Sequence, residues 1–374
     1  MHKLHIPGTL NLGQQGSLGP GDFLVEDLTG AELMVAFPNA GMHLTHWQKP
    51  NLHRFADATT DLKILVAGNL SYGDCIMLTP CLRELKHRYP ASTLTIACLP
   101  YFRTAFLNLD YIDGFAPWPL PAEQYDQFEE IFILERFSSH PKAKTHHLSD
   151  VFADIMGIEL TDRRCDYRPT KDEIDWAQKE FPVNDRKRVG IQVQASQRCR
   201  TYPSNLLVET LNVLLKKGWE VWMMGKPGDY ACQEIGHLHD LSRHTQTFRQ
   251  QAAFLTTCDA FLGPDSGFLH AAGAMNIPSV GLFGAYPWKL RTAQYPSVHA
   301  LSGTGDCAPC FHVSTKMQPS FPAGQSCSKT QRCTVLETIE PARIAAVIER
   351  QAAHSILHAR LPSLPPAAPA PQSP

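Results

Sequence analysis

Several signals that would place a protein in a functional class at once are missing from this sequence. Lys and Arg (34) nearly balance Asp and Glu (36), so there is no basic excess of the kind seen in general nucleic-acid binders. No apolar run is long enough to span a membrane, and the N-terminus has no apolar signal-peptide core. We therefore expect a cytoplasmic protein without a nucleic-acid partner, whose contact with the inner membrane would be peripheral.

A dinucleotide-binding fingerprint is missing as well. The first clear apolar strand covers 62–67, and a glycine-containing loop over 68–74 separates it from a helical pattern over 75–89. The loop lacks Gly-x-Gly-x-x-Gly, which argues against a dinucleotide-binding oxidoreductase. Asp74 closes the loop, and its spacing alone favours a helix N-cap. The alternative is a general base at the carboxyl end of a strand, where ligands bind in parallel sheets.

Apolar strands alternate with helical patterns in two successive units, 61–185 and 186–361. This alternation predicts an α/β protein with two Rossmann-like domains in tandem, each built on a doubly wound parallel sheet. Short apolar pieces punctuated by Gly and Pro predict a small β-rich N-terminal extension over 1–60. The composition of 362–374, almost all Pro, Ala and Ser, predicts a disordered tail.

The most informative stretch, 263–272, has the pattern of a strand, a sharp turn and a helix. Gly-Pro is expected to stop the strand, and Asp265 or Ser266 to cap the helix. Free N–H groups at a helix N-terminus favour an anion, most often a phosphate, and Gly267 would let the ligand approach the backbone. The alternative is an ordinary capped helix, in which His270 is a packed residue rather than a catalyst.

Other polar residues follow strands that end at the same predicted cleft. Arg198 and Arg200 could hold phosphate oxygens by paired hydrogen bonds, or could belong to a solvated loop. Asp229 could accept hydrogen bonds from a ribose, or cap the next helix.

The eleven cysteines fall into two groups. Several are isolated in apolar surroundings and are expected to be reduced core residues. Four others crowd into 307–333, where a Cys-x-x-Cys pair suits tetrahedral zinc or iron; free thiols or disulfides are the alternatives. The candidate metal ligands are Cys307, Cys310, Cys327 and Cys333.

Four motifs together resemble family 9 glycosyltransferases, the ADP-heptose heptosyltransferases. Residues 70–74, with Thr79-Pro80 after them, are similar to the family's "GD…P" loop. Arg200-Thr201-Tyr202-Pro203 resembles "K-x-W-P", with Arg for Lys and Tyr for Trp. Residues 265–270 match "D-S/T-G-x-x-H", and 282–284 with Pro287 match "LFG…P". The resemblance extends over about 62–350.

This resemblance implies a GT-B fold, in which two Rossmann-like domains face a cleft. It implies an inverting transfer of a heptose-like sugar from an ADP-sugar to an acceptor hydroxyl, without a catalytic metal. Asp74 would be the catalytic base, and Ser71, Tyr72 and Gly73 the acceptor-side loop. The implied donor-binding residues are Arg200, Asp229, Asp265, Ser266, Gly267 and His270. The family usually has Glu where Asp229 stands, which bears on the ribose contact.

The cysteine-rich segment 307–333, called the cysteine finger here, is followed by an amphipathic helical pattern over about 341–358. Together they also resemble autotransporter heptosyltransferases, which carry an iron-binding finger and an extra N-terminal domain. That resemblance implies structural iron or zinc. It adds a protein side chain to the candidate acceptors, beside a lipopolysaccharide core or related glycan, and a homo-oligomer is a further candidate assembly. Two other classes stay open, namely a sugar-nucleotide epimerase and a non-catalytic sugar-nucleotide-binding module.

Overall fold

The computed structural model describes most of the chain after residue 60 and parts of the segment before it. The candidate metal ligand Cys327 and the predicted tail 362–374 lie outside the described residues. The described residues are 2–8, 10–11, 17–18, 20–25, 40, 42–46, 61–134, 137–192, 194–196, 198–229, 236–311 and 333–358.

The first lobe is built on a four-stranded parallel sheet with the order β8-β7-β6-β9. The central strand is apolar along almost its whole length because helices cover one face of the sheet and loop residues 116–128 cover the other. The elements are β6 (Lys63–Ala67), α1 (Tyr72–Arg88), β7 (Thr93–Ala97), β8 (Gly114–Ala116), β9 (Glu130–Ile133), α2 (Leu148–Met156) and α3 (Lys171–Glu180).

The second lobe is built on a six-stranded parallel sheet with the order β12-β11-β10-β13-β14-β15. The two parallel sheets confirm the predicted tandem α/β architecture. The elements are β10 (Arg188–Gln192), α4 (Ser204–Lys216), β11 (Glu220–Met224), β12 (Leu238–Asp240), α5 (Phe248–Phe254), β13 (Ala260–Pro264), α6 (Gly267–Ala274), β14 (Ser279–Phe283), α7 (Lys289–Thr292), β15 (Val298–Ser302) and α8 (Pro341–His358).

The described part of the N-terminal segment consists of β-strands. A three-stranded antiparallel sheet has the order β4-β1-β5, and β2 pairs with β3. Leu4 and Ile6 are buried in this sheet. Phe23 forms an isolated antiparallel bridge with Pro121, so the sheet abuts the first lobe. These strands are β1 (His2–Ile6), β2 (Leu10–Asn11), β3 (Ser17–Leu18), β4 (Gly21–Val25) and β5 (His43–His46).

Two element boundaries differ from the sequence prediction. Helix α1 begins at Tyr72 with Ser71 as its N-cap, so Asp74 lies in the first turn and the predicted N-cap role of Asp74 is wrong. Strand β13 extends through Gly263-Pro264. Proline is tolerated there because it is the last residue of the strand, where its missing N–H interrupts little of the ladder.

The two lobes meet through a continuous hydrophobic cluster that contains residues of both. Tyr72 of α1 stacks on Phe248 of α5 with ring centroids 3.8 Å apart, and Phe248 stacks on Phe268 of α6 at 4.3 Å. The N-terminal turns of α1 and α6 are thereby brought face to face. None of the helices in the described parts of the chain has the length and apolar character needed to cross a membrane.

Candidate active site

A cavity of about 1110 Å³ lies between the lobes. It is lined by the loop and first turn after β6, by the aromatic segment after β7, and by the carboxyl ends of β10, β11, β13 and β14. All ten predicted donor-binding, catalytic and acceptor-side residues line it. A smaller depression of about 480 Å³ beside α2 contains none of them. The lining residues of the prediction are Ser71, Tyr72, Gly73, Asp74, Arg200, Asp229, Asp265, Ser266, Gly267 and His270.

Asp74 is half-buried in the first turn of α1. Its Oδ2 accepts hydrogen bonds from the Ser71 backbone N–H at 2.9 Å and from the Ser71 hydroxyl at 2.6 Å. A carboxylate in the first turn of a helix is also favoured by the helix dipole. Both of these bonds use one oxygen, and within the described residues no protein donor is bound to Oδ1. The carboxylate is therefore anchored at one oxygen and can accept a proton at the other.

Asp265 is a buried carboxylate on which two arginines converge. Arg200 Nη1 and Arg291 Nε each lie 3.6 Å from its Oδ2, and Arg200 also donates to the Asp265 carbonyl at 2.8 Å. Burial alone would raise the pKa of Asp265, but the bond from His270 and the two arginine charges outweigh burial and hold that pKa well below its usual range. Two cations thus share one anion, and the excess positive charge faces the cavity.

His270 is fully buried and connects this cluster to the core of the second lobe. Its Nε2 lies 3.3 Å from Asp265 Oδ1 and its Nδ1 lies 3.1 Å from the Tyr295 hydroxyl. Because the ionised Asp265 can only accept, Nε2–H donates to it, and Nδ1 pairs with the Tyr295 hydroxyl. His270 is a packed, hydrogen-bonded residue that fixes Asp265, in line with the non-catalytic interpretation.

One glycine of each motif lies at the contact between the two lobes. A Cβ at Gly267 would lie 2.7 Å from the Tyr72 Cβ, and a Cβ at Gly73 would lie 2.8 Å from His270 Cδ2. Gly267 therefore makes room for the opposite lobe, and its predicted role of letting a ligand approach the backbone remains a prediction. Helices α1 and α6 approach so closely that neither motif can carry a side chain at this position.

The remaining predicted donor residues lie at strand ends around the cavity. Asp229 accepts a hydrogen bond from the Lys226 backbone N–H at 2.8 Å, which closes a turn after β11. Ser266 begins α6 without capping it through its side chain, because its hydroxyl donates to Gln192 instead. Ribose binding by Asp229 remains a prediction.

Sequence reasoning missed several residues that the fold brings to the cavity. Arg291 lies over the ring of Tyr286, with its guanidinium carbon 4.4 Å from the ring centroid. On the first-lobe side, Tyr101 and Phe102 line the cavity with Tyr72, and Tyr101 is 59% exposed. None of these residues belongs to a local motif. The proximity of Arg291 to "LFG…P" was the one sequence signal that could have pointed to it.

The predicted metal centre is not confirmed. Cys307 and Cys310 are half-buried and Cys333 is buried, while Cys327 lies outside the described residues. Across the described ranges, no group of three or more His, Cys, Asp or Glu side chains is arranged to hold a metal ion. The three described thiols therefore do not by themselves form a metal site, and no step of the chemistry is assigned to one.

The chain was compared with protein-family models and with curated sequences. The model of glycosyltransferase family 9 (heptosyltransferase) matches residues 126–320, which is more than half of the chain. No curated protein sequence gives a match.

Solved structures of the same family share the fold. E. coli ADP-heptose LPS heptosyltransferase II is 15% identical, with a TM-score of 0.56 over 79% of this chain and 100% of that chain. A family 9 glycosyltransferase from Veillonella parvula is 14% identical, with a TM-score of 0.60 over 80% of this chain and 99% of the other. The dodecameric iron-containing heptosyltransferase TibC from enterotoxigenic E. coli, in complex with ADP-D-beta-D-heptose, is 12% identical, with a TM-score of 0.59 over 94% of this chain and 91% of TibC. The two-lobed GT-B fold is confirmed.

Proposed function

This chain belongs to glycosyltransferase family 9 and is a heptosyltransferase-like glycosyltransferase; from that premise we propose that it transfers a heptose-like sugar from an ADP-sugar to an acceptor hydroxyl with inversion. One observation carries the proposal. Arg200 and Arg291 share the single buried carboxylate of Asp265 in the same cavity that Asp74 lines. An excess positive charge suits a diphosphate, and an anchored carboxylate suits the acceptor hydroxyl.

The proposed reaction is a direct displacement. Asp74 removes the proton of the acceptor hydroxyl as that oxygen forms a bond to the anomeric carbon of the donor. The bond from this carbon to the diphosphate breaks at the same time, and the nucleoside diphosphate departs with an additional negative charge. In this proposal Arg200 and the N–H groups at the start of α6, at Ser266 and Gly267, stabilise that charge.

The acceptor is proposed to be a glycan such as a lipopolysaccharide core sugar. The first-lobe wall supports this through Tyr101, which is 59% exposed, and Phe102, because sugar rings present apolar faces that stack on aromatic side chains. The hydroxyl of Tyr72 lies 2.6 Å from the Thr104 hydroxyl and 3.0 Å from the Tyr101 carbonyl. These bonds fix the central ring of the wall.

A protein side chain is the second candidate acceptor. One TibC structure matches 94% of this chain, which includes part of residues 1–60, whereas another matches 81% and heptosyltransferase II matches 79%. An N-terminal segment shared with TibC is what the alternative of protein heptosylation requires. A homo-oligomer belongs to the same proposal because TibC is dodecameric, and mass measurement of the purified protein in solution tests it.

A binding screen followed by product analysis tests the function. Purified protein is heated with ADP, UDP or GDP, and we expect ADP to raise the melting temperature most. It is then incubated with ADP-heptose and either a lipopolysaccharide core acceptor or an acceptor polypeptide. Transfer to either acceptor supports the enzyme and identifies the substrate. Rearranged donor without transfer would indicate an epimerase instead, and ADP binding without any turnover would indicate a binding module.

A further inference from the structure

We propose that Arg291 is a second diphosphate-binding residue, and that His147 of the opposite lobe positions it. The inference rests on the proposed function, because it assigns the diphosphate to this cavity. Neither residue belongs to a motif that the sequence identified.

Arg291 has a prearranged guanidinium. Its side chain is largely buried, with 14% of its surface exposed, between the Asp265 carboxylate and the Tyr286 ring. Stacking on an aromatic face holds the plane of a guanidinium while its edge stays available for oxygen acceptors. Since Arg200 uses the same carboxylate, Asp265 neutralises only one of the two arginines. Such an edge can donate hydrogen bonds to the oxygens of a diphosphate.

The backbone of Arg291 is held from the other side of the cleft. Arg291 lies in α7, a helix of four residues whose last carbonyl groups have few partners within the helix. The ring of His147 supplies a partner, because its Nε2 lies 3.2 Å from the Arg291 carbonyl oxygen. The two residues are 144 positions apart in the sequence. This bond ties α7 of the second lobe to the start of α2 in the first.

The proton arrangement on His147 follows from its second hydrogen bond. The Ser149 backbone N–H donates to His147 Nδ1 at 3.2 Å, which makes His147 the side-chain cap of α2. Because Nδ1 accepts, the neutral ring carries its proton on Nε2 and donates it to Arg291. Burial lowers the pKa of His147 to about 4, so the ring stays neutral near pH 7.

These two bonds can be separated by substitution, which gives the experiment a matched pair. Asn in place of His147 keeps an oxygen near the Nδ1 position and can still cap α2, but its short amide cannot reach Arg291. Gln in place of His147 carries an amide nitrogen near the Nε2 position and can donate to the carbonyl. A role limited to capping therefore predicts that His147→Asn is harmless, whereas a positioning role predicts that it is not.

The test measures the affinity of the full chain for ADP and for adenosine by calorimetry. We expect His147→Asn to weaken ADP binding about fivefold, the factor that one net hydrogen bond is worth, without changing adenosine binding. His147→Gln should bind ADP within about twofold of the wild type. Arg291→Ala should lose about ten- to a hundredfold in ADP affinity, and His147→Asn should add nothing in that background.

The outcomes separate the inference from the function it rests on. If the wild type binds ADP and His147→Asn binds it equally well, or loses adenosine affinity to the same degree, the positioning role is wrong while the proposed function stands. If His147→Asn does not fold, the ADP affinities of Arg291→Lys and Arg291→Ala give a second measurement. If Arg291→Ala binds ADP as tightly as the wild type, Arg291 is not a diphosphate-binding residue. If the wild type binds no nucleoside diphosphate, the proposed function fails, and this inference with it.

Discussion

The two walls of the interlobe cavity differ in charge. Among the described lining residues, the first-lobe wall has one charged group, Asp74, set among aromatic rings. The second-lobe wall carries four cations against the two carboxylates of Asp229 and Asp265; the cations are Arg200, Lys226, Arg243 and Arg291. The difference indicates a division of labour. The cations that can stabilise a departing diphosphate lie on the second lobe, and the carboxylate that would receive a proton lies on the first. None of the described lining residues of the first-lobe wall is a cation.

The largest effect should come from removing the single charge of the first-lobe wall. We expect Asp74→Asn to lower kcat by roughly two to three orders of magnitude, because the amide cannot accept the proton of the acceptor hydroxyl. Steady-state assays with ADP-heptose and acceptor measure it. Ser71→Ala is the control, since it removes only the hydroxyl that anchors Oδ2, and its loss should be far smaller. Transfer by Asp74→Asn at the parental rate would remove Asp74 from the mechanism.

The second effect concerns the bond that joins the two walls, and it is a pH dependence of stability. The pKa of His147 is lowered to about 4 in the folded protein, so between that value and 6.5 the unfolded chain binds more protons. Stability should therefore be complete above about pH 6.5 and fall by roughly 3 kcal/mol on acidification to pH 4. Urea unfolding at pH 7 and pH 4 measures it against His147→Asn, which removes the titrating ring. Equal losses in both proteins would contradict the assignment.

The third effect should come from the cationic wall. Arg200→Ala is expected to lower kcat/KM for the donor about ten- to a hundredfold, because a charge-assisted hydrogen bond to the diphosphate is lost. Arg200→Lys should recover part of this loss, since it keeps the charge but not the paired geometry. An unchanged KM for acceptor is the internal control. A larger loss for acceptor than for donor would reverse the assignment of the two walls.

The smallest effect should come from the aromatic wall. We expect Tyr101→Ala to raise the KM for acceptor about fivefold through lost stacking, with the melting temperature unchanged, because the side chain is largely exposed. Tyr101→Phe keeps the ring and should behave as the wild type. If Tyr101→Ala changed only the affinity for ADP, the first-lobe wall would belong to the donor.

The sequence predicts those parts of the site that are local in the chain. Asp74 and Asp265 each follow an apolar strand and precede a helical pattern, so strand-end logic was sufficient to place both at the cavity. His147 and Arg291 could not be found in this way, because they meet through folding and neither lies in a recognisable pattern. The excess of positive charge on the second-lobe wall could not be predicted either, because it depends on which segments folding brings to the cavity.

Local signals also misled where tertiary contacts decide. The apolar spacing predicts a helix over 75–89, after a glycine-containing loop over 68–74. The helix nevertheless begins at Tyr72, since only glycine at position 73 lets the His270 ring approach. The capping pair Ser71 and Asp74, three residues apart, was the signal that would have corrected the boundary.

The close approach of Gly73 to His270 and of Gly267 to Tyr72 has a consequence for protein engineering. A chimaera that grafts one lobe of a homologue onto the other lobe of this chain must preserve both contacts at the seam. If the homologue's lobe has a larger residue at the position of either glycine, that side chain would clash with the other lobe and keep the two lobes apart, even when each lobe folds correctly. Swaps intended to change acceptor preference should therefore leave the first turn of α1 in place and exchange the aromatic segment after β7 alone.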